Sequence, residues 1–109
     1  MNENNDYIFE FETNEEMSEK RYFVVICYDI FNTKRRNKFA KFLERYALRV
    51  QRSVFEGELS KSKYKSLTSK IGGYIEPEDN VRVYRISGNG EVKVWGKNDV
   101  TKIDEVIII

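Results

Sequence analysis

Seven consecutive residues, Tyr22 to Tyr28, read Tyr-Phe-Val-Val-Ile-Cys-Tyr, an unbroken run of aromatic and β-branched side chains. A run of this length and composition predicts a strand at the centre of a sheet, buried on both faces. Asp29 ends it, and Asn32 or Thr33 then offers a side-chain oxygen to cap a helix. From Lys34 to about Ala47, Phe39, Phe42, Leu43 and Tyr46 recur at helical spacing, which predicts an amphipathic helix.

The rest of the chain alternates in the same way. Leu48 and Val50 share one parity, whereas Phe55, Gly57 and Leu59 share the other, so a bulge or bend near Ser53-Val54 is expected to split this stretch into two strands. Ser60 offers a second cap, and Tyr64, Leu67 and Ile71 mark a second helix that Gly72-Gly73 is expected to end in the left-handed conformation. Pro77 to Asn80 reads as a turn, Val81 to Ile86 as a strand, and Ser87-Gly88-Asn89-Gly90 as a hairpin into Val92 to Trp95. The order predicts an α/β (α+β) ferredoxin-like sandwich, one antiparallel sheet with both helices on one face.

The ends differ in character. Residues 1–20 hold seven acidic side chains and one basic, a net −6, and read as an acidic N-terminal extension; alternation at Tyr7, Phe9 and Phe11 leaves a short strand open. Residues 21–109 hold eighteen basic and eleven acidic side chains, a net +7, which suits a domain that binds polyanions. Val106-Ile107-Ile108-Ile109 is a sticky β-branched segment whose expected cover is the sheet of a second copy in a homodimer, with pairing to its own sheet as the alternative.

Composition removes whole classes of chemistry. With no histidine and one cysteine, the chain has no Ser-His or Cys-His pair and no usual zinc site. A bound metal is therefore expected to be a hard, oxygen-preferring ion, Mg2+ or Mn2+, held by carboxylates. No apolar run suits a membrane span and no signal peptide is evident, so a cytoplasmic location is expected, with no membrane partner.

Asp29 is the candidate catalytic and metal-binding residue. Carboxyl ends of central strands are where α/β folds open a crevice for ligands, although an Asp there also serves as a turn former or cap. Two-fold symmetry could pair two copies of Asp29, because no second carboxylate is well placed: Glu44, Glu56 and Glu58 fall on other elements and read as surface charge. Lys34, Arg35, Arg36, Lys38, Lys41, Arg45, Arg49 and Arg52 crowd into nineteen residues opposed only by Glu44. They are the candidate nucleic-acid-binding residues, and Lys61, Lys63, Lys65 and Lys70 extend the set.

Three linked segments, the Val-Val-Ile-Cys-Tyr28-Asp29-Ile30 strand end, Lys34-Arg35-Arg36-Asn37-Lys38 and Arg49-Val50-Gln51-Arg52-Ser53-Val54-Phe55-Glu56-Gly57, resemble the Cas-two family of CRISPR-associated endoribonucleases. The resemblance spans about residues 21 to 95. It implies a ferredoxin-like homodimer whose C-terminal strand joins the partner's sheet and which serves as the small subunit of the spacer-acquisition complex. It also implies a CRISPR integrase partner, binding of duplex DNA, and metal-dependent cleavage of RNA, single-stranded RNA included, or DNA, with Asp29 as the metal residue and Arg35 and Arg36 in nucleic-acid contact. The chain departs from the family pattern in its acidic extension and in Ala47, where many members have glycine. Two alternatives stay open: a purely non-catalytic DNA-binding scaffold, and a regulatory module binding a small anion, against which the lack of a glycine-rich phosphate loop counts.

Overall fold

The computed structural model describes residues 21–97, so the expectations for residues 1–20 and for Val106–Ile109 lie outside the described residues. Five strands and two helices follow the predicted order: β1 Arg21–Asp29, α1 Thr33–Leu43, β2 Leu48–Gln51, β3 Val54–Ser60, α2 Lys61–Lys70, β4 Asn80–Arg85 and β5 Glu91–Gly96. The sheet order is β2-β3-β1-β4-β5, and every neighbouring pair is antiparallel. This is the ferredoxin-like α+β arrangement with an added edge strand. Among the described residues no helix is long and apolar enough to cross a membrane.

β1 is central, yet only one of its faces is fully buried. Val24, Ile26 and Tyr28 pack with Phe39, Phe42 and Leu43 of α1 and Leu67 of α2. Phe23, Val25 and Cys27 alternate onto the face turned from the helices, and Phe23 is 36% exposed. The expectation of burial on both faces is corrected here for the described residues: both helices lie on one side, so these residues supply one covering layer. That second face also carries Val54, Glu56 and Glu58 from β3, with Arg82 and Tyr84 from β4.

Local chemistry sets the element ends. Asn32 caps α1, its side chain accepting from Arg35 N at 2.8 Å, and Ser60 caps α2 by accepting from Lys63 N. α1 stops at Leu43, short of the predicted Ala47, and Tyr46 and Ala47 donate to the Leu43 carbonyl as the chain turns. The predicted strand split occurs, with the β2–β3 register shifting between Arg49 and Gln51. Gly57 admits this turn over β3: a Cβ there would meet the Tyr46 carbonyl at 3.0 Å and Ala47 Cα at 3.1 Å.

Gly72 and Gly73 do not close α2 in the left-handed conformation. α2 gives way after Lys70 to a 3-10 turn over Ile71–Tyr74, and positive φ falls instead at Gly88, Gly90 and Gly96. Gly96, at φ +83°, passes directly over the Asp79 carbonyl, where a Cβ would collide.

Candidate nucleic-acid and metal site

Asp29 is the last residue of β1, exposed, and paired in register with Asn80 of β4. Among the described residues no hydrogen bond or ion pair is recorded for its carboxylate. The segment that follows is held from three sides. Ile30 is buried, and its carbonyl accepts from Arg36 Nη1 at 3.0 Å. Phe31 N donates to Asp79 Oδ1 at 3.1 Å. Asn32 then begins α1.

Asp79 is the hub of this end of the sheet. Its side chain is fully buried and accepts four hydrogen bonds: from Phe31 N, from Glu76 N at 2.9 Å, from Arg35 Nε at 2.7 Å and from Arg35 Nη2 at 3.0 Å. The Arg35 fork is the largest cause that holds the Asp79 carboxyl down, to about 2; burial opposes it, and the two backbone donors reinforce it. The sequence offered only a turn here. Arg35 stands 44 residues away, so no local pattern could have paired the two.

The arginines assigned to nucleic acid therefore divide. Arg35 is committed to Asp79 and to Glu78, at 3.1 Å from the latter's Oε2. Arg36 braces Ile30 and donates to Thr33 Oγ1 at 3.2 Å. Arg49 lies at the Tyr28 end of β1, donating through Nε to the Arg52 carbonyl and through Nη2 to the Tyr28 hydroxyl, with its guanidinium 5.6 Å from the Phe55 ring. Arg52 is exposed beside it. Lys34, Lys38, Lys41 and Arg45 are exposed on and just after α1. Lys38, Lys41 and Arg45 line one shallow hollow of about 480 Å³, and Arg45 shares another of about 350 Å³ with Lys63 of α2. The structure thus gathers the cations into a braced group at the Asp29 end and a solvent-facing group on the helical layer.

The donor set bears on a metal. Asp29 is a hard oxygen ligand with its carboxylate open, as Mg2+ or Mn2+ requires. Among the described residues there is no group of three potential ligands, and Asp79 is fully engaged. Glu44 is exposed at the end of α1, and Glu56 and Glu58 are half-buried on β3 rather than solvated. The described residues therefore offer one open carboxylate to such an ion.

The family model described as "CRISPR associated protein Cas2" matches residues 22–94. The chain belongs to this family. A Synechocystis relative named "CRISPR-associated endoribonuclease Cas2 3" is 42% identical over 81% of this chain and 99% of its own length. A Mycobacterium tuberculosis protein named "CRISPR-associated endoribonuclease Cas2" is 33% identical, covering 80% of this chain and 77% of that protein. Among solved structures, the hypothetical protein TT1823 from Thermus thermophilus superposes with a TM-score of 0.58 at 31% identity, over 72% of this chain and 98% of that one.

Proposed function

We propose that this Cas2 protein works as a homodimer in CRISPR adaptation, binding nucleic acid along its basic surface and hydrolysing phosphodiester bonds with Mg2+ or Mn2+ held between two copies of Asp29. The observation that carries the reading is an exposed, open carboxylate at the end of the central strand, on a segment fixed by Asp79, Arg35 and Arg36. The half-covered sheet face supports pairing of two chains, since Phe23, Val25, Tyr84 and Val94 lie on it together.

A metal bound there would neutralise the phosphodiester and lower the pKa of attacking water. The protein's own part is placement. The clamp fixes Asp29 relative to α1, whose exposed lysines hold the backbone phosphates of a bound strand, and such contacts read charge and not sequence. Duplex DNA and single-stranded RNA are both candidate ligands, and a CRISPR integrase subunit is the expected partner in the cytoplasm.

A second reading, a scaffold that binds DNA without cutting it, draws on the absence of a group of three potential metal ligands among the described residues. The two part on one assay. Purified protein is incubated with RNA and duplex DNA in Mg2+, Mn2+ or chelator, beside Asp29→Ala. Cleavage that needs metal and drops at least about 100-fold in the variant supports the hydrolase. Intact binding with no cleavage in either protein supports the scaffold.

A further inference from the structure

Three shallow hollows follow one another around the C-terminal half of α1, and Arg45 lines all of them. The first, about 350 Å³, holds Arg21, Arg45, Tyr46, Glu58 and Lys63. The second, of about 350 Å³, shares Arg45, Tyr46 and Lys63 with it and adds Ser62 and Ser66 of α2. The third, about 480 Å³, runs from Arg45 past Lys41 to Lys38, with Glu44 at its side. Arg21, Lys63, Arg45, Lys41 and Lys38 are thus set against two carboxylates, Glu58 and Glu44. The floor is aromatic: Tyr46 packs edge-on to Phe42 at 5.4 Å, and Phe42 stacks on Tyr74 at 4.3 Å. At the Arg35 end of α1 the charge reverses, because Glu76 and Glu78 are exposed there and Asp29 stands at the same end of the sheet.

We propose that this cationic groove is the docking surface for the chain's own acidic segment, residues 1–20. The segment joins the domain at Arg21, which itself lines the first hollow, so a tethered anion competes there at an effective concentration of about millimolar. Its charge is complementary, with seven acidic side chains to one basic, and Glu15, Glu16 and Glu19 stand nearest the groove in sequence. Its aromatics suit the floor, since Tyr7, Phe9 and Phe11 are interleaved with Glu10 and Glu12. Its length is ample. From Arg45 to Lys38 the helix covers about 10 Å, whereas twenty residues of chain reach as far as ~66 Å. The acidic Arg35 end of α1 repels the segment and so bounds the docked region at Lys38. The docking does not rest on the nucleic-acid reading; it gives that reading a competitor built into the chain.

The test uses full-length protein throughout and reads position before competition. Amide NMR spectra of the parent are compared with those of a variant carrying Glu10→Gln, Glu12→Gln, Glu15→Gln, Glu16→Gln and Glu19→Gln. The amides of Arg45, Tyr46, Lys63 and Ser66 are expected to differ between the two at low salt and to converge at about 1 M salt, where screening shortens to about 3 Å. Arg45→Gln combined with Lys63→Gln should in turn move the amides of Glu15, Glu16 and Glu19. Changes confined to residues 1–20, or centred on the edge strands β2 and β5 or on the sheet face around Phe23, overturn the docking. Groove changes that fade on dilution overturn it in favour of a second copy's segment. Binding of labelled duplex DNA then measures competition in a double-mutant cycle. Neutralising the segment is expected to tighten binding about five-fold or more in the parent, and less than about two-fold in the Arg45→Gln, Lys63→Gln background. An equal gain in both backgrounds is a general effect of charge and overturns the groove as the docking site. Groove changes without DNA binding by any of these proteins support the docking and remove the nucleic-acid reading alone.

Discussion

The cations at the Asp29 end and those on the helical layer belong to one dense run of sequence, yet the fold employs them in opposite ways. At the Asp29 end, Arg35 closes a fork on a fully buried carboxylate, and Arg36 braces the Ile30 carbonyl. On the helices, Lys38, Lys41, Arg45 and Lys63 face solvent with no side-chain partner recorded among the described residues. The chemistry of the side chains explains why the braces are arginines, although Arg45 shows that a guanidinium also serves in the solvent-facing group. A guanidinium presents several donors in a fixed plane and so can join two loops at once, whereas an ammonium on a flexible stem is better suited to making a field. One group builds the platform that carries Asp29, and the other is the surface proposed to attract a polyanion.

That contrast is broken most directly at Asp79. Asp79→Asn keeps the volume but removes the charge facing Arg35, and is expected to lower stability by roughly 3 kcal/mol, read by urea unfolding. A loss below about 0.5 kcal/mol, the scale of ordinary surface substitutions, would mean the clamp is ornamental. Lys38→Gln combined with Lys41→Gln should behave in the converse way. Unfolding stays within about 0.5 kcal/mol of the parent, while the slope of log affinity against log salt becomes shallower by about 1.4 on a single strand or about 1.8 on duplex DNA. An unchanged slope would remove both lysines from the phosphate track. Arg35→Lys tests the division within one residue. It replaces the fork by a point charge, so it should destabilise less than Asp79→Asn and leave the salt slope alone; a shallower slope would return Arg35 to the nucleic-acid surface.

Much of the fold was legible because its signals are local. The parity change between Val50 and Phe55 marked the β2–β3 break, the spacing of Phe39, Phe42 and Leu43 marked the buried face of α1, and Ser60 marked a cap. Gly72-Gly73 misled because a glycine pair permits a left-handed ending without requiring one, and the chain continued as a 3-10 turn. Asp29 was legible as the polar stop of an apolar strand. Its support was not, because Asp79 meets Arg35 and Phe31 only after β1 and β4 have paired. The same distance in sequence concealed the real work of Arg35, which looked like one more cation in a run.

Acid provides the finest test of the difference between the two groups, since the lysines keep their charge there whether folded or not, whereas Asp79 takes up a proton when the chain unfolds. Its carboxyl is held at about 2 in the folded chain, below its ordinary value of 3.8, chiefly by the Arg35 hydrogen bonds. A depressed carboxylate stabilises the fold fully above its unfolded value, and that contribution drains away as pH falls through the window between the two. The stability gap between the parent and Asp79→Asn should therefore be constant above about pH 5 and narrow steadily from about pH 4 toward pH 2. The gap between the parent and the double lysine variant should not change with pH over that range. Urea unfolding of all three proteins across it separates the cases. A parent–Asn gap that stays constant to pH 2 would mean the variant's loss comes from the shape of the buried amide rather than from the charge that Arg35 holds, and the brace would then owe its strength to packing.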